Sequence, residues 1–408
     1  MTAEMTKPAW LNNELIEKAF KKSEQDDSIK VIKISTKPGS EKGDNYSSDV
    51  YRVNVEFTRL KLSNIIHEKR SLIIKISHTE SPIFKEMINE IDVVNLEIKM
   101  LMSTLVEMQK FLGDTKLCGK CLYGQDKPPA IIIEDLAVSG YRLADRKVGL
   151  DYQHSLFAIK NLAKFHASSV AAVEQDPSLK SFYGKGVFFK PCNSILMKQF
   201  LNGAMKSFAT AVESWPELGP KYGNKLKKLS DNFYDLFAER TALNESEFNV
   251  INHGDCWVNN MMFHYDDNNK VDNQIFVDFQ IPVYKSPAID LNYFFNSSLS
   301  DETLSQRDKL LKEYFKVLTM TMKRIGCKTS PPTADELNRM MSKYEIYGLF
   351  AACVCLPIMA LDKEHAKPID DMMLDDGTID DKGVTNPVFL KRVTKRLQKW
   401  DTMGLLDV

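Results

Sequence analysis

His253-Gly-Asp255-Cys-Trp-Val-Asn-Asn260 is the most informative stretch of this chain, and Phe276-Val-Asp278-Phe-Gln280 follows it after a turn-rich segment. Asp255 follows a β-type run where the chain turns into a loop, so its carboxylate can accept or orient the proton of an attacking hydroxyl. The amide oxygen of Asn260 and the carboxylate of Asp278 are ligands that Mg²⁺ prefers. Any one of these residues alone would more often be structural. Together, in this order around a hairpin, they predict a phosphoryl-transfer site in which Asp255 is the base and Asn260 and Asp278 bind the metal.

Length, charge and cysteine content narrow the class of protein. The chain has 408 residues, which is too long for one compact core and predicts two lobes or domains. Its formal net charge of −1 argues against nucleic acid or an anionic membrane as a partner. Seven scattered cysteines favour reduced thiols, and neither a long apolar run nor a signal peptide is visible. We therefore expect a cytoplasmic protein in which the lone Cys118-Gly-Lys-Cys121 motif is structural.

The pattern of apolar residues changes along the chain. It predicts, in order, a helix, three strands, a long helix and two strands, at residues 11–22, 31–36, 50–60, 71–77, 83–111, 116–123 and 130–136. This order is typical of a small antiparallel sheet that carries one packed helix. The rest is mainly helical, at residues 152–173, 226–240, 305–325, 334–361 and 387–403, with a strand hairpin within 248–281. We expect an α+β fold of two lobes, residues 1–134 and 135–408.

Lys75 lies within an apolar run, Leu72-Ile-Ile-Lys-Ile76. An unpaired buried ammonium is costly, so this lysine requires a counter-charge or a phosphate. Glu97 can supply the charge from the long helix, and Glu90, two helical turns earlier, is the competing partner. The pair would hold Lys75 towards the α- and β-phosphates of a nucleotide. The alternative is a lysine that extends to solvent from an edge strand, with a solvated glutamate.

Two further segments are candidates for nucleotide contacts. Gly43-Asp-Asn45-Tyr-Ser47-Ser is a turn of small residues whose backbone N–H groups can cradle phosphate oxygens. It matches no standard phosphate-binding motif, and a plain hairpin turn would have the same composition. Glu134-Asp-Leu136 ends a buried strand, and in a two-lobed nucleotide enzyme this linker's backbone would bind the adenine edge. The alternative for the second segment is a simple strand end between lobes.

The remaining polar residues near the motif have supporting interpretations. His253 precedes the base by two residues, and we expect it to brace the loop by hydrogen bonds. Asp290 either anchors the same loop through backbone N–H groups or caps the following helix. His166, on a helix, is interpreted as a core residue. Cys256 has no base and oxyanion site of its own, so it is interpreted as a packing residue rather than a nucleophile.

These motifs resemble those of the insect ecdysteroid kinase-like (CHK kinase-like) proteins, relatives of choline kinase and aminoglycoside phosphotransferases. The resemblance runs from Pro8-Ala-Trp-Leu to Asp290-Leu, and the segments 253–263 and 277–280 are the most specific to the family. It implies a protein-kinase-like fold with a small N-lobe and an enlarged helical C-lobe. It also implies ATP- and Mg²⁺-dependent phosphorylation of a small-molecule hydroxyl. Under this resemblance Asp255 is the base, Asn260 and Asp278 bind Mg²⁺, and Lys75 with Glu97 positions ATP.

The acceptor implied by the family is an ecdysteroid or another steroid-like or xenobiotic alcohol, and the residues do not decide between these. An apolar wall for such a molecule could come from the aromatic residues Trp257, Tyr284, Tyr293 and Phe294.

Two competing functions remain. A protein kinase is disfavoured because a glycine after Asp278-Phe279 is missing and because the run from Gln280 to Asp290 is short for a regulated loop. A catalytically silent ligand-binding protein on a kinase scaffold is disfavoured because every catalytic residue type is retained.

Overall fold

The N-terminal part of the chain forms a five-stranded antiparallel sheet in the order β1-β2-β3-β5-β4. The computed structural model describes residues 7–39, 48–78, 80–359, 361, 369–374 and 377–407. The strands are β1 (Lys30–Pro38), β2 (Ser48–Lys61), β3 (Asn64–Ser77), β4 (Cys121–Asp126) and β5 (Pro129–Glu134). Gly43, Asn45 and Ser47 of the candidate phosphate-covering turn lie outside the described residues.

The two faces of this sheet are covered differently. Helix α1 (Asn13–Glu24) packs Phe20 and its apolar neighbours against residues such as Phe57, in a core of its own. Alternate strand residues face opposite sides, so Leu72 and Ile74 belong to the core under α1, whereas Lys75 faces away from it. The other face carries α2 (Pro82–Ile91), α3 (Val93–Lys99), a π-helical turn (Met100–Thr104) and α4 (Leu105–Leu112).

The predicted continuous helix at residues 83–111 is therefore wrong in detail. Asp92 has a left-handed backbone, with φ of 57°, and ends α2 before α3 begins. Apolar residues continue with helical spacing across this break, which is why the sequence pattern conceals it. The consequence for the site is that Glu97 lies on a short separate helix, and its direction is set independently of α2.

The C-terminal part is mainly helical. Its helices are α5 (Tyr152–Gln175), α6 (Leu179–Phe182), α7 (Ile195–Glu213), α8 (Asn224–Asp231), α9 (Phe233–Arg240), α10 (Ala288–Ser297), α11 (Asp301–Leu304), α12 (Arg307–Ile325), α13 (Ala334–Lys343), α14 (Glu345–Phe350), α15 (Leu356–Met359) and α16 (Pro387–Thr402). Its strands are β6 (Arg142–Leu143), β7 (Val250–Asn252), β8 (Met261–Tyr265), β9 (Val271–Phe276) and β10 (Val283–Lys285). Strands β8 and β9 form the predicted hairpin, and β10 pairs with β7.

Several predicted boundaries differ from the structure. The helix predicted at 226–240 is divided at Asn232 into α8 and α9, and the one at 334–361 is divided into α13, α14, a π-helical turn (Ala351–Cys355) and α15. The strand predicted at 116–123 begins only at Cys121, although Cys118 forms an isolated bridge with Phe276. Helix α7 was not predicted.

The expected α+β fold with two lobes is confirmed. We call α1–α4 with β1–β5 the N-terminal lobe, and the elements from β6 to α16 the C-terminal lobe. One large apolar core runs from α2–α4 through the C-terminal helices, so the lobes share buried surface. Within the described ranges, no helix is long and apolar enough to cross a membrane.

Candidate active site

The loop after β7 is fixed in a conformation that only glycine fits. Gly254 has φ of +84°, and a Cβ added there would lie 1.9 Å from the carbonyl oxygen of Ile281. Any larger residue would therefore displace the backbone. This turn leads from β7 to Asp255. It packs tightly against Ile281, which lies in the segment that precedes β10.

Asp290 holds this loop from beneath. Its Oδ2 accepts the backbone N–H of His253 at 2.6 Å, and its Oδ1 accepts that of Gly254 at 2.9 Å. It lies in the first turn of α10 rather than at the N-cap, which is Pro287. His166 also contacts Asp290, with its Nε2 3.1 Å from Oδ2, and the Tyr314 hydroxyl lies 2.7 Å from His166 Nδ1. Of the two interpretations of Asp290, the geometry favours the loop anchor.

His253 links the loop to the end of β9. Its Nε2 lies 3.1 Å from the carbonyl oxygen of Val277, and the backbone N–H of Asp255 lies 3.4 Å from its Nδ1. Burial lowers the pKa of His253, so the ring is neutral, with the proton on Nε2 and the acceptor at Nδ1. A neutral ring in this tautomer positions the loop and has no proton to transfer towards Asp255.

Both carboxylate oxygens of Asp255 are oriented by donors. The Tyr293 hydroxyl donates to Oδ1 at 2.8 Å, and the Asn260 amide donates to Oδ2 at 2.8 Å. Burial, together with the charge of Asp278, raises the pKa of Asp255 to about 6, while the two donors counteract this. Asp255 is thus a desolvated carboxylate that remains largely ionised at neutral pH, as a base near pH 7 requires.

The amide of Asn260 has a defined orientation. Its Nδ2 donates both to the backbone carbonyl of Asp255 at 2.9 Å and to the Asp255 carboxylate. These two acceptors assign the NH₂ group, and Oδ1 points to the other side. Within the described part of the chain, Oδ1 accepts no hydrogen bond. An oriented amide oxygen with no competing donor fits a ligand position for a hard cation.

Lys75 and Glu97, which are buried, form one charge cluster with the partly exposed Asp278. Lys75 Nζ donates to Glu97 Oε1 and Oε2, both at 2.9 Å, and to Asp278 Oδ1 at 2.5 Å. Burial would lower the pKa of Lys75, but the two carboxylates outweigh it and raise the pKa. Burial raises the pKa of Glu97 to about 7 against the opposing charge of Lys75. The ammonium therefore stays charged, and Glu90 is not its partner, because Glu90 accepts the backbone N–H of Asn193.

Asp278 lies in a strained part of the backbone. Its φ is +66°, in the left-handed region that non-glycine residues rarely adopt. Such strain persists only where the surroundings enforce it, and it is concentrated at functional sites. Here it turns the carboxylate from the end of β9 towards Lys75.

The donor set fits Mg²⁺ bound together with phosphate. Asp278 supplies one anionic side chain and Asn260 one neutral oxygen. Among the described residues, no group of three or more His, Cys, Asp and Glu side chains could hold a metal ion by itself. Mg²⁺ is commonly bound by one or two carboxylates, with phosphate oxygens and water completing its shell, so a sparse protein set is what this chemistry needs.

The linker residues lie apart from this cluster. The N–H of Glu134 donates to the Lys120 carbonyl at 3.0 Å and is therefore engaged within the sheet. Leu136 is buried with Tyr141 and Ile275 in a small separate core. Glu134 itself accepts from Lys116 Nζ at 2.5 Å. The carbonyl of Leu136 accepts the N–H of Tyr141 at 3.2 Å.

Sequence reasoning missed the residue that fixes the linker. Asp135 Oδ2 lies 2.7 Å from Arg52 Nε and accepts the Ser71 hydroxyl at 2.7 Å, which ties the linker to β2 and β3. The paired residues are far apart in sequence, so periodicity carries no signal of this contact.

A cavity of about 240 Å³ opens beside Asp255. Trp257 and Tyr293 line it, whereas Tyr284 and Phe294, the other two aromatic candidates, do not. Its further walls come from α2, α7 and the segment from Phe350 to Ile358.

Residues 42–327 match the model of the ecdysteroid kinase-like family, which covers well over half of the chain. The sequence has no match among curated proteins.

Among solved structures, the chain is similar to choline kinase from Cryptosporidium parvum Iowa II, with 11% identity, coverage of 96% and 97% of the two chains, and a TM-score of 0.47. A choline/ethanolamine kinase family protein from Mesorhizobium loti shows 12% identity, coverage of 86% and 85%, and a TM-score of 0.39. The GDP complex of aminoglycoside 2′-phosphotransferase-IIIa shows 12% identity, coverage of 94% and 99%, and a TM-score of 0.39. Similarities at this level say nothing about the substrate of this chain.

Proposed function

The chain belongs to the ecdysteroid kinase-like family and is a phosphotransferase, and from this premise we propose that it transfers a phosphoryl group from ATP to a hydroxyl of a small molecule. One observation supports this above all others. Lys75, Glu97 and Asp278 form one set of contacts, and Asp255 and Asn260 form a second set beside a cavity. The backbone N–H of Val277, the neighbour of Asp278, donates to the carbonyl of Asn260 at 3.0 Å and links the two sets. Three carboxylates, one amide and one ammonium in this arrangement are the groups that phosphoryl transfer uses.

Asp255 acts as the base in this proposal. Tyr293 and Asn260 hold its carboxylate in one orientation. A hydroxyl that enters from the cavity would donate its proton to this carboxylate, or be aligned by it, as the oxygen attacks. Pre-orientation of the base lowers the entropic part of the barrier.

Asn260 and Asp278 would hold Mg²⁺. The ion, when bound, neutralises charge on the phosphate oxygens. Asn260 Oδ1 is presented by the fixed amide, and Asp278 is presented by its strained backbone. Lys75, held by Glu97, adds a positive charge for the phosphates of the nucleotide. Gly43, Asn45 and Ser47 remain our proposal for the turn over the phosphates, and Glu134 with Leu136 for the adenine edge.

The division into lobes at residues 134 and 135 and the cytoplasmic location also remain predictions. The acceptor class expected from the family, an ecdysteroid or another steroid-like or xenobiotic alcohol, is part of this proposal. A protein kinase is disfavoured further because β10 and the start of α10 occupy the chain between Gln280 and Asp290. That segment pairs with β7 inside the C-terminal lobe and has no length for a peptide platform.

The test is direct phosphate transfer. The protein is incubated with Mg²⁺·ATP and a mixed library of steroid, phenolic and glycosidic alcohols, and the products are analysed by mass spectrometry. We expect at least one alcohol to gain one phosphate. Binding of alcohols without consumption of ATP, across the whole library, would instead support a silent binding protein.

A further inference from the structure

The cavity beside Asp255 has mostly apolar walls, and Gln280 is the residue with a polar amide in its lining. Met87 of α2, Phe200 and Leu201 of α7, and Val354 and Ile358 beyond α14 present hydrocarbon or thioether surface to it. Both lobes contribute, since α2 belongs to the N-terminal lobe and α7 to the C-terminal lobe. The acceptor would therefore be enclosed between apolar surfaces on several sides rather than bound on an open face.

The charged side chain in the lining of this cavity is that of Asp255. Among the described residues that line it, Asp255 is the only one with a carboxylate, and none is lysine, arginine or histidine. Tyr293 and Cys355 also line it, and burial raises the pKa of both side chains well above their ordinary values, so both are neutral. The Tyr293 hydroxyl is already committed to Asp255.

Size and plasticity set further limits on the ligand. At about 240 Å³, the cavity lies below the range of about 300–1,000 Å³ that is typical of sites for drug-sized ligands. Three of the lining residues, Met87, Met197 and Met372, are methionines, whose flexible side chains adapt to ligands of different outline. The site is thus small and apolar, with walls that tolerate variation in shape.

We propose that the acceptor is a compact, uncharged alcohol with a hydrocarbon body and a single reactive hydroxyl, such as a monocyclic or bicyclic phenol or alicyclic alcohol. This inference rests on the proposed kinase function and selects within its acceptor classes. The hydroxyl lies at Asp255, and the body fills the space between α2 and α7. Polyhydroxylated steroids and cationic amino alcohols are excluded as preferred substrates.

Polyhydroxylated acceptors are disfavoured by unpaired polar groups. Each additional hydroxyl that enters the apolar walls loses its hydrogen bonds to water, and each one left without a partner reduces affinity about tenfold.

Cationic acceptors are disfavoured by desolvation. The aromatic rings of Trp257, Phe200 and Phe350 could contact an ammonium group, but cation–π contacts alone do not offset the removal of a charge from water. The one carboxylate that could pair with the cation is Asp255, and such pairing would divert it from the reacting hydroxyl.

The experiment compares four acceptors with the full-length protein and Mg²⁺·ATP: 2-naphthol, menthol, 20-hydroxyecdysone and choline. Product formation is followed by mass spectrometry, and kcat/KM is determined for each acceptor. We expect kcat/KM for at least one of the two apolar alcohols to exceed that for 20-hydroxyecdysone and for choline by tenfold or more. A preference for either of the latter two would overturn this inference and leave the kinase function intact. Transfer to none of the four, with none in the wider alcohol library, would overturn both.

A variant of the cavity wall tests the proposed location of the acceptor. Met87→Glu places a second carboxylate at a partly exposed position of the wall, and Met87→Leu is the matched control. We expect the ratio of kcat/KM for menthol to that for choline to fall at least tenfold in Met87→Glu and to change little in Met87→Leu. The KM for ATP should be the same in both variants, which shows that the fold is retained. An unchanged ratio in Met87→Glu would contradict the proposed location of the acceptor.

Discussion

The hydroxyl of Tyr293 donates to Oδ1 of Asp255 at 2.8 Å, and the ring of the same tyrosine forms part of the cavity wall. One residue therefore both orients the proposed base and contacts the space for the acceptor. Tyr293 lies on α10, which also carries Asp290, the anchor of the loop that bears Asp255. The geometry of the base thus depends on how a single buried helix lies beneath it.

Replacement of Tyr293 with phenylalanine should lower kcat/KM for the alcohol without changing the affinity for Mg²⁺·ATP. A hydrogen bond to a charged group contributes about 1.5–3 kcal/mol, so a loss of about ten- to hundredfold is expected. The donor favours the ionised carboxylate, so its loss raises the pKa of Asp255 above about 6. The acidic limb of the kcat/KM profile should accordingly move to higher pH. A profile that keeps its acidic limb in place would show that Tyr293 has only a packing role.

Replacement of Asp278 with alanine should weaken the binding of Mg²⁺·ATP by at least tenfold, as measured by titration calorimetry. The variant loses the anionic ligand proposed for the metal and leaves Lys75 paired with Glu97 alone. Binding of ATP without Mg²⁺ should not weaken, because a negative charge near the phosphates is removed. Asp272→Ala, a change on the exposed part of β9, is the control and should bind as the wild type does. Equal losses with and without Mg²⁺ would contradict a metal-binding role for Asp278.

Replacement of Gly254 with alanine should destabilise the protein by several kcal/mol and abolish activity, because the added Cβ would overlap the carbonyl oxygen of Ile281. Gly326 provides a matched control, since its φ of +75° is also left-handed but a Cβ there meets nothing within 4 Å. Gly326→Ala should cost only about 1 kcal/mol. Denaturant unfolding of the two variants measures the difference. Similar losses of stability in both would show that backbone conformation alone, rather than the contact with Ile281, requires glycine at position 254.

The pH dependence of stability should reveal the buried ammonium of Lys285. This residue donates to the carbonyl of Phe188 at 2.9 Å, and burial lowers its pKa from 10.5 to about 8. Between these values the unfolded chain binds more protons than the folded one, so this group makes the free energy of unfolding rise with pH from about 8 to 10.5. The shift lowers the free energy of unfolding by about 3 kcal/mol at neutral pH. This destabilisation is absent in Lys285→Met.

Lys285→Met should therefore gain stability over the wild type at pH 7 by less than this amount, because it also loses the hydrogen bond to Phe188. The advantage should shrink when both proteins are unfolded by denaturant at pH 10. A constant difference between pH 7 and pH 10 would contradict the lowered pKa.

The N-terminal strands and the need of Lys75 for a counter-charge follow from local patterns in the sequence. β-branched alternation marks the strands, and a lysine within an apolar run requires a counter-charge, which narrows the choice to Glu97 or Glu90. The choice between these two could not be made from spacing. It depends on the left-handed residue Asp92, which separates α3 from α2 and redirects Glu97.

The acceptor side of the site was less accessible to sequence reasoning. Helix α7, which supplies one wall of the cavity, was missed, and the division of the 334–361 helix around the 351–355 turn was not anticipated. These elements meet α2 only through the tertiary fold. Likewise, nothing in the sequence near Tyr293 indicates a hydrogen bond to a residue 38 positions earlier.

The most direct test of the central claim is a single-turnover measurement with the wild type and Asp255→Asn. Each protein is mixed in excess with Mg²⁺·ATP and an alcohol that the wild type phosphorylates, and the phosphorylated product is quantified over time. General bases contribute about 10²–10⁴-fold, so product formation in Asp255→Asn should fall by at least that range, while Mg²⁺·ATP still binds. Product formation at the wild-type rate in Asp255→Asn would contradict the assignment of Asp255 as the base.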